Sequence, residues 1–181
     1  MVRAWAIPIR STLPQDLILQ PMAFLADYAG IVQVQYPADA QIADFTQIAD
    51  KLLAQDPSIF GGDGNDTLRG TNGADFFQAG KGNNTMFGNN GDNVFAAADG
   101  NNTARGGNGA DLFYLGNGAN TMRGNNGIGI FMAGDGNNTA HGGADRDLFI
   151  LGDGNNTVHT GNGMNIVMTG KGNDMIYGGS G

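Results

Sequence analysis

The sequence predicts an all-β fold: a parallel β-solenoid with 18-residue coils, preceded by a small α+β segment. Of the 32 glycines only Gly30 precedes Gly61, and from Gly62 onwards the chain alternates units of 8 and 10 residues. Evenly spaced Phe, Leu, Ile, Met and Val separate the Gly/Asn/Asp clusters, which disordered glycine-rich tracts lack. Short repeats of this kind are typical of stacked strand-and-turn coils. We therefore expect two regions, residues 1–60 and residues 61–181.

Residues 1–60 are expected to form a small mixed segment. Its best helix shows Ile42, Phe45, Ile48 and Leu52 at three- and four-residue spacing, which makes one apolar stripe. Sixty residues bury little surface alone, and the open end of a solenoid exposes an unpaired strand edge. We expect this segment to cap the first coil. The expected elements are a strand at 4–9, a helix at 17–28, a strand at 31–36 and a helix at 39–55.

Charge and composition exclude several functions. The formal net charge is −8, every one of the 17 acidic residues is Asp, and the nine basic residues are scattered. Nucleic-acid binding needs a dense Lys/Arg stripe, so no nucleic-acid partner is expected. The absence of Cys excludes disulfides and thiolate metal sites. We expect neither a transmembrane span nor a secretory signal peptide, because no long apolar run is present.

Alternation along each strand predicts which residues face inwards. In the 10-residue units, Phe77, Phe95, Phe113, Phe131 and Phe149 are expected to stack inside the solenoid. Their neighbours are expected to face outwards, yet they are almost entirely apolar. We call this predicted surface the apolar face. It comprises Phe76, Val94, Leu112, Tyr114, Ile130, Met132, Leu148, Ile150, Ile166 and Met168.

A flat apolar surface of this size is rarely left in water. One interpretation is burial under the N-terminal segment. The other is a docking face for a protein partner, for a second copy of the chain, or for peripheral association with a membrane complex.

The outward positions of the 8-residue units differ. They carry a row of Thr beside a second column that includes Arg105, Arg123, His141 and His159. Thr rows suggest ice binding, but that function needs a flat, uncharged surface. A solvated β-sheet face is the preferred interpretation, and ice binding is a third hypothesis.

The unit GDGNDTLRG at residues 62–70 resembles the nonapeptide G-G-x-G-x-D-x-U-x of the RTX (haemolysin-type) calcium-binding repeat family. The resemblance implies a right-handed parallel β-roll in which calcium lies between neighbouring turns, held by Asp carboxylates and turn carbonyls. It also implies an extracellular, cell-surface or periplasmic location. Residues 1–60 show no such resemblance.

The Asp position of this motif is only partly kept. Calcium candidates are Asp66, Asp75, Asp111, Asp147 and Asp174, and no two vertically adjacent turns both carry Asp. Calcium takes six to eight oxygen ligands and its affinity follows their charge, so we expect weak or partial binding. Stacked Asn side chains can instead form a metal-free amide ladder. For the central row we favour the ladder, formed by Asn84, Asn102, Asn120, Asn138 and Asn156.

No enzymatic activity is expected, because a narrow solenoid filled with side chains has no pocket for a nucleophile, a base or an open metal. Two functions stay open. The chain is a structural or interaction protein that docks through the apolar face, or it is an extracellular module that folds or assembles when calcium rises.

Overall fold

The computed structural model describes residues 45, 47–52 and 59–181. Residues 59–181 form a parallel β-solenoid with fourteen short strands. In chain order they are β1 (Ile59–Phe60), β2 (Thr67–Arg69), β3 (Phe76–Ala79), β4 (Thr85–Asn90), β5 (Val94–Ala97), β6 (Thr103–Asn108), β7 (Asp111–Leu115), β8 (Thr121–Asn126), β9 (Gly129–Ala133), β10 (Thr139–Gly143), β11 (Leu148–Leu151), β12 (Thr157–Gly161), β13 (Ile166–Thr169) and β14 (Met175–Gly178).

The strands alternate between two seven-stranded parallel sheets. The odd sheet contains β1, β3, β5, β7, β9, β11 and β13, and the even sheet contains the remaining seven strands. Paired strand residues lie 18 positions apart, as Phe95 and Phe113 or Thr103 and Thr121 do, except that a register shift pairs Gly161 with Gly178. The predicted 18-residue coil is therefore confirmed.

The interior is narrow and filled by side chains from both sheets. The Phe77, Phe95, Phe113, Phe131 and Phe149 rings stack with centroids 4.6–4.9 Å apart and are fully buried. Met86, Ala104, Met122, Ala140 and Val158 of the even sheet complete the same cluster. Large residues thus face small or flexible ones, which lets two closely spaced sheets reach close packing.

Glycines at the turns allow the coils to stack closely. Gly100 has φ +146°, and a Cβ atom placed there would lie 1.9 Å from the Gly82 carbonyl oxygen. Only a residue without a side chain fits this backbone and this contact. The repeat therefore needs glycine here for stacking as well as for turning.

The apolar face is not exposed, and the prediction that it faces solvent is wrong for most of its length. Val94, Leu112, Ile130 and Leu148 are 0% exposed, and Phe76, Met132 and Ile150 are buried. Tyr114, Ile166 and Met168 are partly buried against the same cluster. The physical reason is a helix at residues 45 and 47–52, whose Phe45, Ala49 and Leu52 belong to that cluster and are themselves buried.

This helix packs on the odd sheet along the side of the solenoid, and capping of the first coil by residues 1–60 stays a prediction. Lys51 Nζ lies 3.2 Å from Asp92 Oδ2, and the Arg146 guanidinium lies 5.4 Å from the centre of the Phe45 ring. Asp92 lies two residues before β5, and Arg146 lies two residues before β11. The two residues therefore occupy the same position in coils that are three coils apart. The helix therefore runs along the solenoid axis. The strands expected at 4–9 and 31–36, the helix expected at 17–28, and Ile42 lie outside the described residues.

Candidate functional site

The turns that lead into the even sheet carry a continuous amide ladder. Asn84 Nδ2 donates to Asn102 Oδ1 at 3.0 Å, and Asn102 Nδ2 donates to Asn120 Oδ1 at 3.2 Å. The same bond continues from Asn120 to Asn138, from Asn138 to Asn156, and from Asn156 to Asp174. All five Asn residues are buried. The predicted Asn ladder is confirmed, and its donors all point towards the C-terminal end.

Each ladder amide also holds its own turn. Asn120 Nδ2 donates to the Gly116 and Gly118 carbonyls at 2.9 and 3.2 Å. Its backbone N–H donates to Asn138 Oδ1 at 3.1 Å, so each side-chain oxygen accepts two bonds from the preceding coil. Every polar atom of the amide is thereby satisfied inside the solenoid. Because a buried polar group left unpaired costs about 1–3 kcal/mol, removing one amide from the ladder should destabilise the folded chain.

The ladder turns do not fit calcium. Calcium needs an all-oxygen shell of six to eight ligands. In these turns an NH₂ group lies where two turn carbonyls and the next side-chain oxygen converge, and it already donates to all three. The amide nitrogen therefore lies where a cation would otherwise bind, and it satisfies the same oxygens as a hydrogen-bond donor. Among the described residues no three His, Cys, Asp or Glu side chains form a group that could hold a metal.

In three of the five candidate calcium ligands, no carboxylate oxygen of the described residue is both buried and without a hydrogen-bond partner. Asp75 Oδ2 accepts the Thr71 backbone N–H at 2.7 Å and the Thr71 hydroxyl at 3.1 Å. Asp147 accepts the Gly129 N–H through Oδ1 and the Gly143 N–H through Oδ2, at 2.6 and 3.0 Å. Asp174 Oδ1 accepts both nitrogens of Asn156. Calcium binding at these three residues stays a prediction.

Asp66 and Asp111 differ from the other three. The Oδ2 atoms of both are buried, and neither has a hydrogen-bond partner within the described part of the chain. In Asp111, Oδ1 accepts the backbone and side-chain nitrogens of Asn93 at 3.1 and 3.0 Å, so only Oδ2 is orphaned. An orphaned carboxylate oxygen that replaces an amide NH₂ fits a cation or a proton. Among the candidate ligands, the turns of Asp66 and Asp111 therefore fit best the calcium that the motif implies.

Burial changes the acidity of two of these groups. Desolvation raises the pKa of Asp111 from 3.8 to about 7, against the lowering effect of the Asn93 hydrogen bonds. Desolvation also raises the pKa of Asp147 to about 7, although the Gly129 and Gly143 N–H groups act in the opposite direction. Both carboxyls thus titrate near neutral pH.

The sequence analysis did not predict two further ladders of hydrogen-bonded Asn side chains. On the exposed side of the same turns, Asn65 Oδ1 accepts the Asn83 backbone N–H at 2.8 Å, and Asn83 Oδ1 accepts that of Asn101 at 2.9 Å. This ladder runs in the direction opposite to the buried one. At the other turn, Asn90, Asn108 and Asn126 each donate Nδ2 to the Asn one coil earlier. The recurrence of Asn at 18-residue spacing was the signal that could have revealed both.

The outward column of the even sheet is stacked and at least partly solvent-accessible. The His141 and His159 rings lie 4.6 Å apart, and Tyr177 follows at 4.7 Å from His159. The Arg69 guanidinium lies 4.5 Å from the centre of the Phe87 ring. The column therefore presents cations and aromatic planes at the pitch of the coils.

The sequence model of the RTX calcium-binding nonapeptide repeat (4 copies) matches residues 60–95, 87–122, 97–131, 123–158 and 159–181. The matched segments together cover about two thirds of the chain, all of it solenoid. No curated protein and no solved structure matches the chain. Calcium binding is what this repeat implies for the turns.

Proposed function

Because the chain belongs to the RTX calcium-binding repeat family, we propose that it is a non-catalytic structural module in which amide ladders replace most of the calcium. The solenoid then acts as a rigid plate that keeps its shape whether or not calcium is present. Calcium is confined to the few turns that retain Asp, where binding is weak or partial.

The position of the ladder amides is the observation that carries this proposal. From Asn84 to Asn156, each Nδ2 atom donates to two carbonyls of its own turn and to the oxygen of the next coil. Five consecutive turns thus have their oxygens satisfied without metal. A module that depended on calcium throughout would instead leave these acceptors facing one another in the metal-free state.

The packing supports a non-catalytic role. The interior between the sheets is occupied by the stacked Phe rings and by the small residues opposite them. The second apolar cluster is occupied by helix residues and by the apolar face. Both clusters are packed with apolar side chains, whereas catalysis needs a pocket beside a nucleophile or a base. Proteins of this repeat family are generally non-catalytic.

Circular dichroism of the full chain in excess chelator tests the proposal. We expect the strand signal and a cooperative thermal transition in chelator, with only a small upward shift of the midpoint on adding calcium. A chain that is disordered in chelator and gains strand with calcium would overturn the proposal.

A second candidate is the calcium-responsive module, and the orphaned oxygens of Asp66 and Asp111 favour it. Calcium bound there would stabilise the folded chain by mass action. Titration calorimetry of wild-type and Asp66→Asn protein tests this candidate. It predicts binding at millimolar or lower calcium that weakens in the variant, and it fails if wild-type protein binds no calcium.

Docking of a partner, or of a second copy, on the apolar face stays a prediction. Because Leu112, Ile130 and Leu148 are already buried in the cluster that contains Phe45 and Leu52, such docking requires the helix to leave. We also infer an extracellular, cell-surface or periplasmic location, since proteins with this repeat are typically extracellular or secreted. None of the described helical residues belongs to a helix long and apolar enough to cross a membrane.

A further inference from the structure

Two columns of side chains on the even-sheet side run the length of the solenoid, one on the turns and one on the strands. The turn column lies at the second residue of each 8-residue unit and consists of Asp63, Lys81, Asp99, Asn117, Asp135, Asp153 and Lys171. The strand column lies six residues later and consists of Arg69, Phe87, Arg105, Arg123, His141, His159 and Tyr177.

The two columns are complementary coil by coil. Where the turn column has Asp, the strand column has Arg or His: Asp63 with Arg69, Asp99 with Arg105, Asp135 with His141, and Asp153 with His159. Where the turn column has Lys, the strand column has an aromatic ring: Lys81 with Phe87, and Lys171 with Tyr177. The remaining coil pairs Asn117 with Arg123. The Asp–Arg coils therefore offer an ion pair, and the Asp–His and Asn–Arg coils offer a charge-assisted hydrogen bond. In the Lys81–Phe87 coil the ring offers its edge to the Lys side chain, because the Arg69 and Arg105 guanidinium groups lie over its faces.

These pairs are not formed inside one molecule. The turn of each coil separates the two columns, and no ion pair joins them among the described residues. The complementary residues of each coil lie at the same height along the solenoid axis. They meet only when the turn column of one solenoid lies beside the strand column of another. A second copy of this chain has the same pitch, so all seven coils match together.

We propose that two copies of this chain associate side by side, parallel and in register, with the turn column of one against the strand column of the other. This interface uses different surfaces on the two partners, so it leaves one free column on each copy. Such a contact extends into rows of solenoids unless the rotation closes a ring. The proposal does not depend on the apolar face or on the buried amide ladder.

Both columns are held in place before they meet. In the turn column, Asp99 Oδ1 accepts the Asn117 backbone N–H at 2.8 Å and Asp135 Oδ1 accepts the Asp153 backbone N–H at 2.9 Å. In the strand column, His141 stacks on His159 and Arg69 lies over Phe87. Pre-positioned side chains lose less conformational entropy on binding. The periodic columns therefore act together rather than as isolated pairs.

Charge makes this contact selective and sensitive to salt. The chain carries a net charge of −8, so random contacts between copies are repelled. The strand column concentrates Arg69, Arg105 and Arg123 on one line, which steers the acidic turn column to it. Exposed ion pairs are weak singly and screened by salt. We therefore expect association at low ionic strength that is largely lost at about 0.5 M salt.

Reciprocal charge exchange within one coil tests the proposal. Asp99→Lys follows the Lys that the turn column already accepts at Lys81, and Arg105→Asp reverses the opposing charge. Each single variant should weaken association of the full chain by about tenfold, as measured by sedimentation at low salt, because attraction becomes repulsion. The double variant should regain wild-type association, since the pair is restored with its signs exchanged. Asn155→Asp is the matched control, because it adds a charge at an exposed turn position outside both columns and keeps the oxygen that accepts the Asn173 N–H.

Mixing the two single variants gives a second readout. When Asp99→Lys and Arg105→Asp protein are mixed, opposite charges meet in either arrangement of two unlike copies, so the mixture should form more dimer than either variant alone. Wild-type protein that stays monomeric at low salt and high concentration would overturn the proposal. So would a double variant that associates no better than the single ones. Binding of a soluble polyanion by the strand column, lost in Arg105→Asp without any self-association, would assign the column to another ligand and also overturn it.

Discussion

At the scale of single residues, one atom separates a turn that holds itself together from a turn that needs a cation. Asn120 places an NH₂ group among two carbonyls and a neighbouring amide oxygen. Asp66 and Asp111 each place a second oxygen in the equivalent position, and that oxygen has no partner among the described residues. The choice between Asn and Asp in each coil therefore decides whether the turn carries its own donor.

Replacing Asp111 by Asn should stabilise the protein. The new NH₂ group would reach the carbonyls of Asn108 and Gly109, as Asn93 Nδ2 reaches those of Asn90 and Gly91 one coil earlier. We expect the free energy of unfolding in chelator at pH 8 to rise by about 1–3 kcal/mol. Urea unfolding measures it. An unchanged or lower value would show that Asp111 Oδ2 is already satisfied.

The raised pKa values of Asp111 and Asp147 make stability depend on pH. The folded chain keeps protons on these buried groups up to about pH 7, whereas the unfolded chain releases them near pH 4. Their contribution to the free energy of unfolding is therefore full below pH 4 and is lost as the pH rises to about 7. In chelator we expect Asp111→Asn to flatten the decrease between pH 5 and pH 8. An equally steep decrease in the variant would contradict this assignment.

The reverse exchange at Asn120 should have the opposite sign. Asn120→Asp removes the donor to Gly116, Gly118 and Asn138, so three acceptors lose a partner. We expect a loss of about 1–3 kcal/mol in chelator. The matched control is Asn101→Asp, since the exposed Asn101 side chain accepts only the Ala119 N–H through an oxygen that Asp retains. A loss of equal size in both variants would argue against the buried ladder.

At the scale of elements, the helix at residues 45 and 47–52 determines what the odd sheet can bind. Its spacing and the apolar face were both predicted from the sequence, and burial of the face under the N-terminal segment was one of the two interpretations. The sequence could not decide between burial and docking, because hydrophobic spacing identifies an apolar stripe but not the surface that covers it. The exposed interpretation was wrong for that reason, and the apolar face is part of a second core.

Weakening the helix should expose that second core. Leu52 is 1% exposed within the cluster, so Leu52→Ala removes buried apolar contacts worth about 2–5 kcal/mol. We expect a rise in the fluorescence of an apolar-surface dye, with little change in the strand signal of the solenoid. Asp50→Ala on the exposed side of the same helix is the control. Equal dye binding by both variants would show that the helix does not cover the face.

At the scale of the whole molecule, the chain is a stack of nearly identical coils whose stability is shared between neighbours. Coil length, inward Phe column and central Asn ladder all followed from the 18-residue repeat, because identical positions must stack in a parallel solenoid. The directions of the ladders and the donors for Asp75 and Asp147 did not follow. They depend on side-chain rotamers and on local turn differences at Thr71 and Gly143, which spacing does not specify.

Hydrogen exchange of the Asn side-chain amides, followed by nuclear magnetic resonance in excess chelator, tests the central claim most directly. The account predicts slow exchange for the buried Nδ2 protons of Asn84, Asn102, Asn120, Asn138 and Asn156, and fast exchange for the exposed Asn137 and Asn155. Fast exchange at all of these positions in chelator, with protection appearing only when calcium is added, would contradict it.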